Sequence, residues 1–257
     1  MTIIHSTAIV DKNAELGKDV EIGPFCIIEA DVSIGDRTII DSHAVIATGT
    51  TIGEECRIFS GAVIGNIPQD LKFEDEESFV TIGDKTKIRE YVTINRATSH
   101  SYYTRIGNDC LIMAYAHIAH DCQLGNNVVI ANSVAMGGHV IIEDFVGIGG
   151  LSAIHQFVRI GAHSFIGGTS GIKKDVPPYI LAMGEPLKYA GLNTVGLTRR
   201  GVESKALSSL KKAYKVLYRE NLTTEQAIQS IDNDFERIPE INHLLEFLKG
   251  CERGIIR

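Results

Sequence analysis

Three histidines in this chain are spaced so that they could share one proton-transfer site. His120 stands 18 residues before Gly138 and 36 before Gln156, and His139 and His155 flank those two positions. If 18 residues make one turn of a repeating coil, then His120, Gly138, His139, His155 and Gln156 fall on one corner of three successive turns. A neutral imidazole, with an ordinary pKa near ~6.5, can accept a hydroxyl proton at neutral pH. Asp121, the next residue, is placed to orient the ring. One exposed histidine is ordinarily a surface residue, whereas three on one corner beside a carboxylate make a candidate general base. His5, His43, His100, His163 and His243 fall outside the corner and read as structural or surface residues.

The coil that must position these groups is written as a period of six. From Ile4 to Ile172, 26 of the 29 positions in one hexad register are Ile, Leu, Val or Met. The exceptions, Asp70, Glu76 and His100, lie in polar stretches 69–80 and 99–104, whose lengths of 12 and 6 are multiples of the period. Those stretches read as loops extruded from an unbroken coil. A small residue recurs four places after the aliphatic one, as at Ala8, Ala14 and Cys26, and glycine often follows it directly, as at Gly17, Gly35 and Gly53. That glycine is expected to supply the backbone angles of the corner. Six residues are too few for a helical repeat and suit a short strand plus a turn. Three hexads close a triangular coil, giving about nine coils and a rise of roughly 40 Å at the ~4.8 Å strand spacing. The expected fold is mainly β, a solenoid over 1–178 followed by a C-terminal helical domain over 179–257. Pro177 and Pro178 are expected to end the ladder, because proline has no amide to donate.

In the tail, Ala206, Leu207, Leu210, Ala213, Tyr214 and Leu217 recur at helical spacing within 202–218. Thr223 with Gln226 forms a capping box for a helix running to Phe235, and Pro239 can open a last helix carrying Ile241, Leu244, Leu245 and Leu248. Net charge is −7, which argues against a nucleic-acid partner. Between Arg199 and Glu220, however, seven basic and two acidic residues give a local +5, a patch suited to an acidic protein or a phosphate. Cys26, Cys56, Cys110 and Cys122 all take the small inward slot and read as core filler, while Cys251 is isolated. No secretory leader and no apolar run of membrane-spanning length is apparent, so a cytoplasmic protein without a transmembrane segment is expected.

The hexad pattern resembles that of the hexapeptide-repeat acyltransferases, which implies a left-handed parallel β-helix and a homotrimer. A closer resemblance rests on Ala116-His117-Ile118-Ala119-His120-Asp121-Cys122, Gln69-Asp70-Leu71-Lys72, Ile154-His155-Gln156-Phe157, and the tail from Asn193 through Leu197-Thr198-Arg199-Arg200-Gly201. These segments are similar to the UDP-N-acetylglucosamine O-acyltransferases, and the likeness spans essentially the whole chain. It implies the first step of lipid A biosynthesis, transfer of a 3-hydroxyacyl group from acyl carrier protein to the 3-hydroxyl of UDP-N-acetylglucosamine. By the same resemblance His120 is the general base, Asp121 its orienting partner, and the Gly138 amide the oxyanion donor. Asp70, Lys72, His117, His139, His155 and Gln156 would contact the sugar nucleotide or the pantetheine arm. Asn193, Arg199 and Arg200 would reach the uridine and phosphates, for which guanidinium geometry is suited. The rest of the basic helix face would meet the carrier protein. Gly168 matches the position that limits acyl-chain reach, and its lack of a side chain implies a long chain. No metal or cofactor is implied beyond the 4'-phosphopantetheine that the donor carries. Phe73 departs from the family's usual Tyr, and Tyr115 stands where Asn is common.

Three other activities compete. The related N-acyltransferase of the same pathway carries a uridine-binding domain ahead of its repeats, whereas repeats here begin at Ile4. A γ-type carbonic anhydrase would hold zinc with three histidines. Here His117, His120, His139 and His155 take four different slots of the hexad and are not expected to converge on one ion. A purely structural solenoid leaves the polar corner, the loops and the basic tail unexplained.

Overall fold

The computed structural model describes residues 1–257, and the hexads form a left-handed parallel β-helix with a small helical domain at its C-terminal end. Most strands are only two residues long, and they stack into three sheets, the first beginning with Ile3–Ile4, the second with Ile9–Val10 and the third with Glu15–Leu16, each coil contributing one strand to each. Their register follows the expected count. Ile22 pairs with Ile40 and Ile34 with Ile52, an offset of 18. Ile52 then pairs with Ile82, an offset of 30, and Ile82 with Ile106, an offset of 24. From Ile106 to Leu124 the offset is 18 again. Insertions of 12 and 6 residues therefore leave the coil and rejoin it in phase. They occupy 67–78 and 97–102, two residues ahead of the polar stretches that reveal them, because a modulo-six count constrains the length of an insertion but not where it starts.

The aliphatic hexad positions face inward and are buried from Ile22 onward, while Ile4, Val10 and Leu16 cap the open first coil and stay partly exposed. Cys26, Cys56, Cys110 and Cys122 lie in the core as free thiols. Burial pushes the Cys122 thiol up to about 12, so it is chemically quiet.

The glycines serve a purpose other than the expected one. Left-handed backbone occurs at the third residue after the inward aliphatic, and ordinary residues adopt it, as at Asp19 (φ 56°), Arg37 (φ 58°) and Asp121 (φ 61°). Glycine directly after the aliphatic is needed for space. A Cβ on Gly35 would come 2.6 Å from the Gly53 carbonyl carbon, and one on Gly107 would come 2.4 Å from the Gly125 oxygen, both backbone atoms of the next coil.

The prolines do not end the ladder either. Val176 pairs with Ile160, and the strand Ile180–Met183 pairs in parallel with Phe165–Ile166 before turning back on Lys188–Leu192. The corner amide directly after the inward residue donates to the coil that follows, as Gly161 N does to Val176 O, whereas the left-handed residue two places on donates back, as Tyr179 N does to Ala162 O. Pro177 and Pro178 occupy corner slots of the last coil, where no further coil awaits a donor.

Four helices complete the chain: α1 (Thr194–Arg199), α2 (Ser204–Arg219), α3 (Thr224–Asp234) and α4 (Pro239–Lys249). Thr223 and Gln226 form the capping box of α3, and Pro239 stands at the first turn of α4. The helices share a continuous core with the solenoid: Tyr214 of α2 is fully buried and donates its hydroxyl to Pro178 O. His243 of α4 bridges Tyr179 Oη at 2.7 Å and Glu143 Oε2 at 2.8 Å.

Adding a methyl group at a coil-to-coil contact should therefore cost stability that the same change in open space does not. Gly107→Ala is expected to lose about 1–3 kcal/mol in urea unfolding followed by circular dichroism. Gly171→Ala, where nothing lies within 4 Å of the added Cβ, is expected to be neutral or slightly stabilising. Equal losses would contradict the packing role.

Candidate active site

Between the second and third sheets, the corners of three consecutive coils line a cleft of about 430 Å³. Two hexad slots build it. The second residue after the inward aliphatic contributes His120, Gly138 and Gln156, and the third, left-handed slot contributes Asp121, His139 and Phe157. Because coils stack directly, residues in one slot lie over one another: the His139 and Phe157 rings stack at 4.3 Å between centroids and 3° between planes. The His120 ring meets His139 edge-on at 5.0 Å.

Asp121 has no exposed side-chain surface, and its Oδ2 lies 2.7 Å from His120 Nδ1. A carboxylate can only accept at that distance, so the Nδ1–H donates and Nε2 keeps its lone pair for the cleft. Burial alone would raise the Asp121 carboxyl, but hydrogen bonds from His120, Ser101 and Thr98 outweigh it and hold the group well below the usual carboxylate range. Asp70, from the first extruded loop, approaches the other side of the ring, with Oδ2 4.0 Å from Nε2. Burial lowers His117 and His139, keeping both neutral at pH 7. His117 Nδ1 is 2.7 Å from Thr93 Oγ1.

Gly138 is indispensable here for space, since a Cβ would lie 2.4 Å from His120 Cε1. Its amide makes no hydrogen bond within the chain. The contrast with another corner is informative: amides in the same slot at Lys18, Glu54, Asp84, Asn108 and Asn126 are each capped by an Asp or Asn side chain of the next coil. The Gly138 N–H is thus a free donor beside a proton acceptor, the arrangement that acyl transfer to a hydroxyl requires.

Of the residues singled out from sequence, Asp70, Lys72, His117, His120, Gly138, His139 and Gln156 line this cleft. His155 does not. It occupies the slot directly after the aliphatic, is exposed, and has Nδ1 3.3 Å from the Arg253 guanidinium. His100 was read as a surface residue, yet its ring lies 4.6 Å from His139 and 6.4 Å from Phe157. The inserted loop carries it to the corner, beyond the reach of a hexad count. Asn193, Arg199 and Arg200 line a second groove of about 620 Å³ on the face of the first sheet. There Asn193 caps α1, and Arg200 lies over the Phe145 ring at 5.0 Å. The two clefts share no residue. Gly168 stands at the third corner, between the first and second sheets, in neither cleft; a Cβ there would meet Gly150 O at 3.1 Å.

The first loop is built rather than merely solvated. Asn95 Nδ2 donates to Ile67 O at 2.7 Å, and the Arg96 guanidinium lies over the Phe73 ring at 5.4 Å. A metal has a poor fit: His120, Asp121 and His139 bring ligand atoms within 4.8 Å of one another, but His120 Nδ1, the nitrogen beside Asp121, carries the hydrogen it donates there and has no lone pair to offer an ion. His155 stands apart, so no three-histidine zinc set forms within the chain.

A family model described as UDP N-acetylglucosamine O-acyltransferase, domain 2, matches residues 175–256, and the six-repeat bacterial transferase hexapeptide model matches 31–66 and 103–138. The O-acyltransferase of Thermodesulfovibrio yellowstonii is 50% identical over 258 residues, covering all of both chains. The chain belongs to the UDP-N-acetylglucosamine O-acyltransferase family. Solved structures of this family agree. The enzyme from Bacteroides fragilis superposes with a TM-score of 0.97 at 42% identity, covering 99% of this chain and 100% of that one. The Acinetobacter baumannii protein gives 0.97 at 43% identity with the same coverage.

The aromatic stack at the mouth of the second groove carries a pH dependence. His163 lies between Phe145 at 4.8 Å and Tyr179 at 5.7 Å, its Nδ1 buried without a partner. Burial, then the charges of Arg200 and His243, push it down to about 4. The unfolded chain, with its histidine near ~6.5, binds the extra proton between those values, so stability falls as pH drops through that window. His163→Phe keeps the stack and removes the titration. Its melting temperature is expected to fall less than wild type between pH 6.5 and 4, and parallel curves would contradict the assignment.

Proposed function

We propose that this chain transfers a 3-hydroxyacyl group from acyl carrier protein to the 3-hydroxyl of UDP-N-acetylglucosamine, the first step of lipid A biosynthesis. Its relatives are named for acyl-acyl-carrier-protein and UDP-N-acetylglucosamine. The observation that carries the mechanism is the His120–Asp121 pair with Nε2 open to the cleft beside the uncapped Gly138 amide. Nε2 removes the proton from the sugar 3-hydroxyl as its oxygen attacks the thioester carbon. The carbonyl oxygen becomes an oxyanion that accepts a hydrogen bond from Gly138 N–H. When the tetrahedral species collapses, the carbon–sulfur bond breaks and the imidazolium returns its proton to the departing thiolate. Atoms balance with two substrates and no covalent enzyme intermediate, and no step draws on a metal or cofactor beyond the donor's phosphopantetheine.

Around the reacting atoms, Asp70, Lys72, His117, His139 and Gln156 contact the sugar and pantetheine arm, and His155 lies further along. Asn193, Arg199 and Arg200 are read as contacts for uridine and phosphate. Since their groove lies on another side of the prism, a neighbouring subunit of a homotrimer supplies them. Gly168 of a neighbour then sets the acyl-chain reach. On α2, Lys211, Lys215 and Arg219 face a groove of about 520 Å³ and suit the acidic carrier protein. From such substrates we read the reaction as cytoplasmic; no helix is long and apolar enough to cross a membrane.

A transfer assay pairing the sugar nucleotide with 3-hydroxyacyl carrier proteins of several lengths tests the reading. His120→Ala is expected to lose about 10²–10⁴-fold in kcat; a folded variant with near-normal turnover would remove it as the base. In the same assay Gly168→Met should move the preference toward shorter donors, and an unmoved profile would dismiss it as the ruler. Co-expressed His120→Ala and Arg199→Ala chains should recover activity that neither has alone, because mixed trimers rebuild intact sites. No recovery would argue that each site lies within one chain.

A further inference from the structure

We propose that the inserted segment 97–102 is a positioning collar for the general base, with Thr98 and Ser101 fixing the Asp121 carboxylate and, through it, the orientation and proton affinity of His120. The inference rests on His120 acting as the base. Asp121 occupies the left-handed corner slot at φ 61°, and its amide donates to Thr104 Oγ1 at 2.9 Å. Its Oδ2 accepts from Thr98 Oγ1 at 2.8 Å and Thr98 N at 3.2 Å, as well as from His120. Its Oδ1 accepts from Ser101 N at 3.1 Å and from the Ser101 hydroxyl, for whose single proton Tyr103 O at 3.0 Å is the competing acceptor. Every donor except the histidine comes from the insertion.

A buried carboxylate with one partner is costly, because its remaining lone pairs have lost water without replacement. The collar meets that need and fixes the carboxylate plane, so the His120 Nδ1–H has one direction in which to point. It also spreads the negative charge over several donors, which limits how strongly Asp121 stabilises an imidazolium. Neither Thr98 nor Ser101 lines the cleft, so both act through Asp121 and not on substrate. The segment is itself tied down: Ser99 N donates to Glu76 Oε1 at 3.0 Å, and Tyr102 N to Thr98 O at 2.9 Å. The first loop thereby steadies the second while presenting Asp70 to the other side of the same imidazole. The charged and titratable groups around His120 are then Asp121, Asp70, Lys72, His117 and His139, with Glu76 and His100 one layer further out.

The test compares Ser101→Ala, Thr98→Val and Thr98→Ser. Ser101→Ala and Thr98→Val are each expected to lower kcat about tenfold, the worth of one charge-assisted hydrogen bond, with KM for the sugar nucleotide changed less than about twofold. With fewer donors on Asp121, the imidazolium gains stabilisation, so the acid limb of the kcat/KM profile should move to higher pH. Thr98→Ser keeps the hydroxyl and should restore both. A second measurement is independent of turnover: the NMR titration of 15N-labelled His120 should shift upward in Ser101→Ala and in Thr98→Val and keep the wild-type position in Thr98→Ser. An unmoved titration in folded Ser101→Ala overturns the collar whatever reaction the enzyme performs. Normal turnover in His120→Ala would instead remove the reading of the base, leaving the titration to judge the collar alone.

Discussion

Direct stacking of identical coils at strand spacing is the constraint from which this structure follows. Every sixth side chain must enter a narrow triangular core, and the backbone of one coil must touch the next at its corners. Gly35 and Gly107 are glycines for that reason, with less than 3 Å available for a Cβ. Such a stack leaves little freedom for function. Inward slots are committed to packing, and most strands are two residues long, so chemistry enters at the corners or through insertions that preserve the count.

The site uses both. Its corner slots bring residues 18 apart into contact without any long-range folding event beyond the coil itself. Left-handed backbone in that slot, a cost of about 1–2 kcal/mol for a non-glycine residue, recurs along the whole solenoid and is compensated by the ladder, so Asp121, His139 and Phe157 inherit a conformation that the fold already imposes. The insertions supply what the repeat cannot. One brings Asp70 beside the imidazole, and the other buries Asp121 under donors. Because they depart and return in phase, neither disturbs the register above it.

Much of this was legible as arithmetic. The hexad period exposed the coil, the burial of four cysteines and the two insertions, and the 18-residue spacing identified His120, Gly138, His139 and Gln156 as neighbours. What escaped was whatever a linear count does not encode. His155 lies one slot away from the corner and points elsewhere, so a near match in number was no match in direction. His100, Thr98 and Ser101 reach the site because an insertion folds back, and its path depends on hydrogen bonds to Asp121 and Glu76 that have no periodicity. Glycine was credited with a turn conformation when its true contribution is the missing Cβ. The prolines seemed to forbid another rung, but the two corner slots they fill are ones whose amides face the following coil, and at the last coil that demand vanishes.

The same rigidity bears on how many chains a site needs. The histidine cleft, the arginine groove and Gly168 belong to three different edges or faces of one prism, and a solenoid of stacked coils has no hinge that could bring them together. A flexible two-domain enzyme closes over its substrate, whereas a prism can only be approached by another surface. If one sugar nucleotide is to touch both His120 and Arg199, the second group must come from a neighbouring copy, and the neighbour's position is then as rigid as the coil. Cyclic symmetry makes such sharing self-consistent, since each subunit lends its groove to the next cleft and receives one in return. On this argument the proposed trimer would be a consequence of the fold's stiffness: a scaffold that cannot bend would have to assemble a shared site by association.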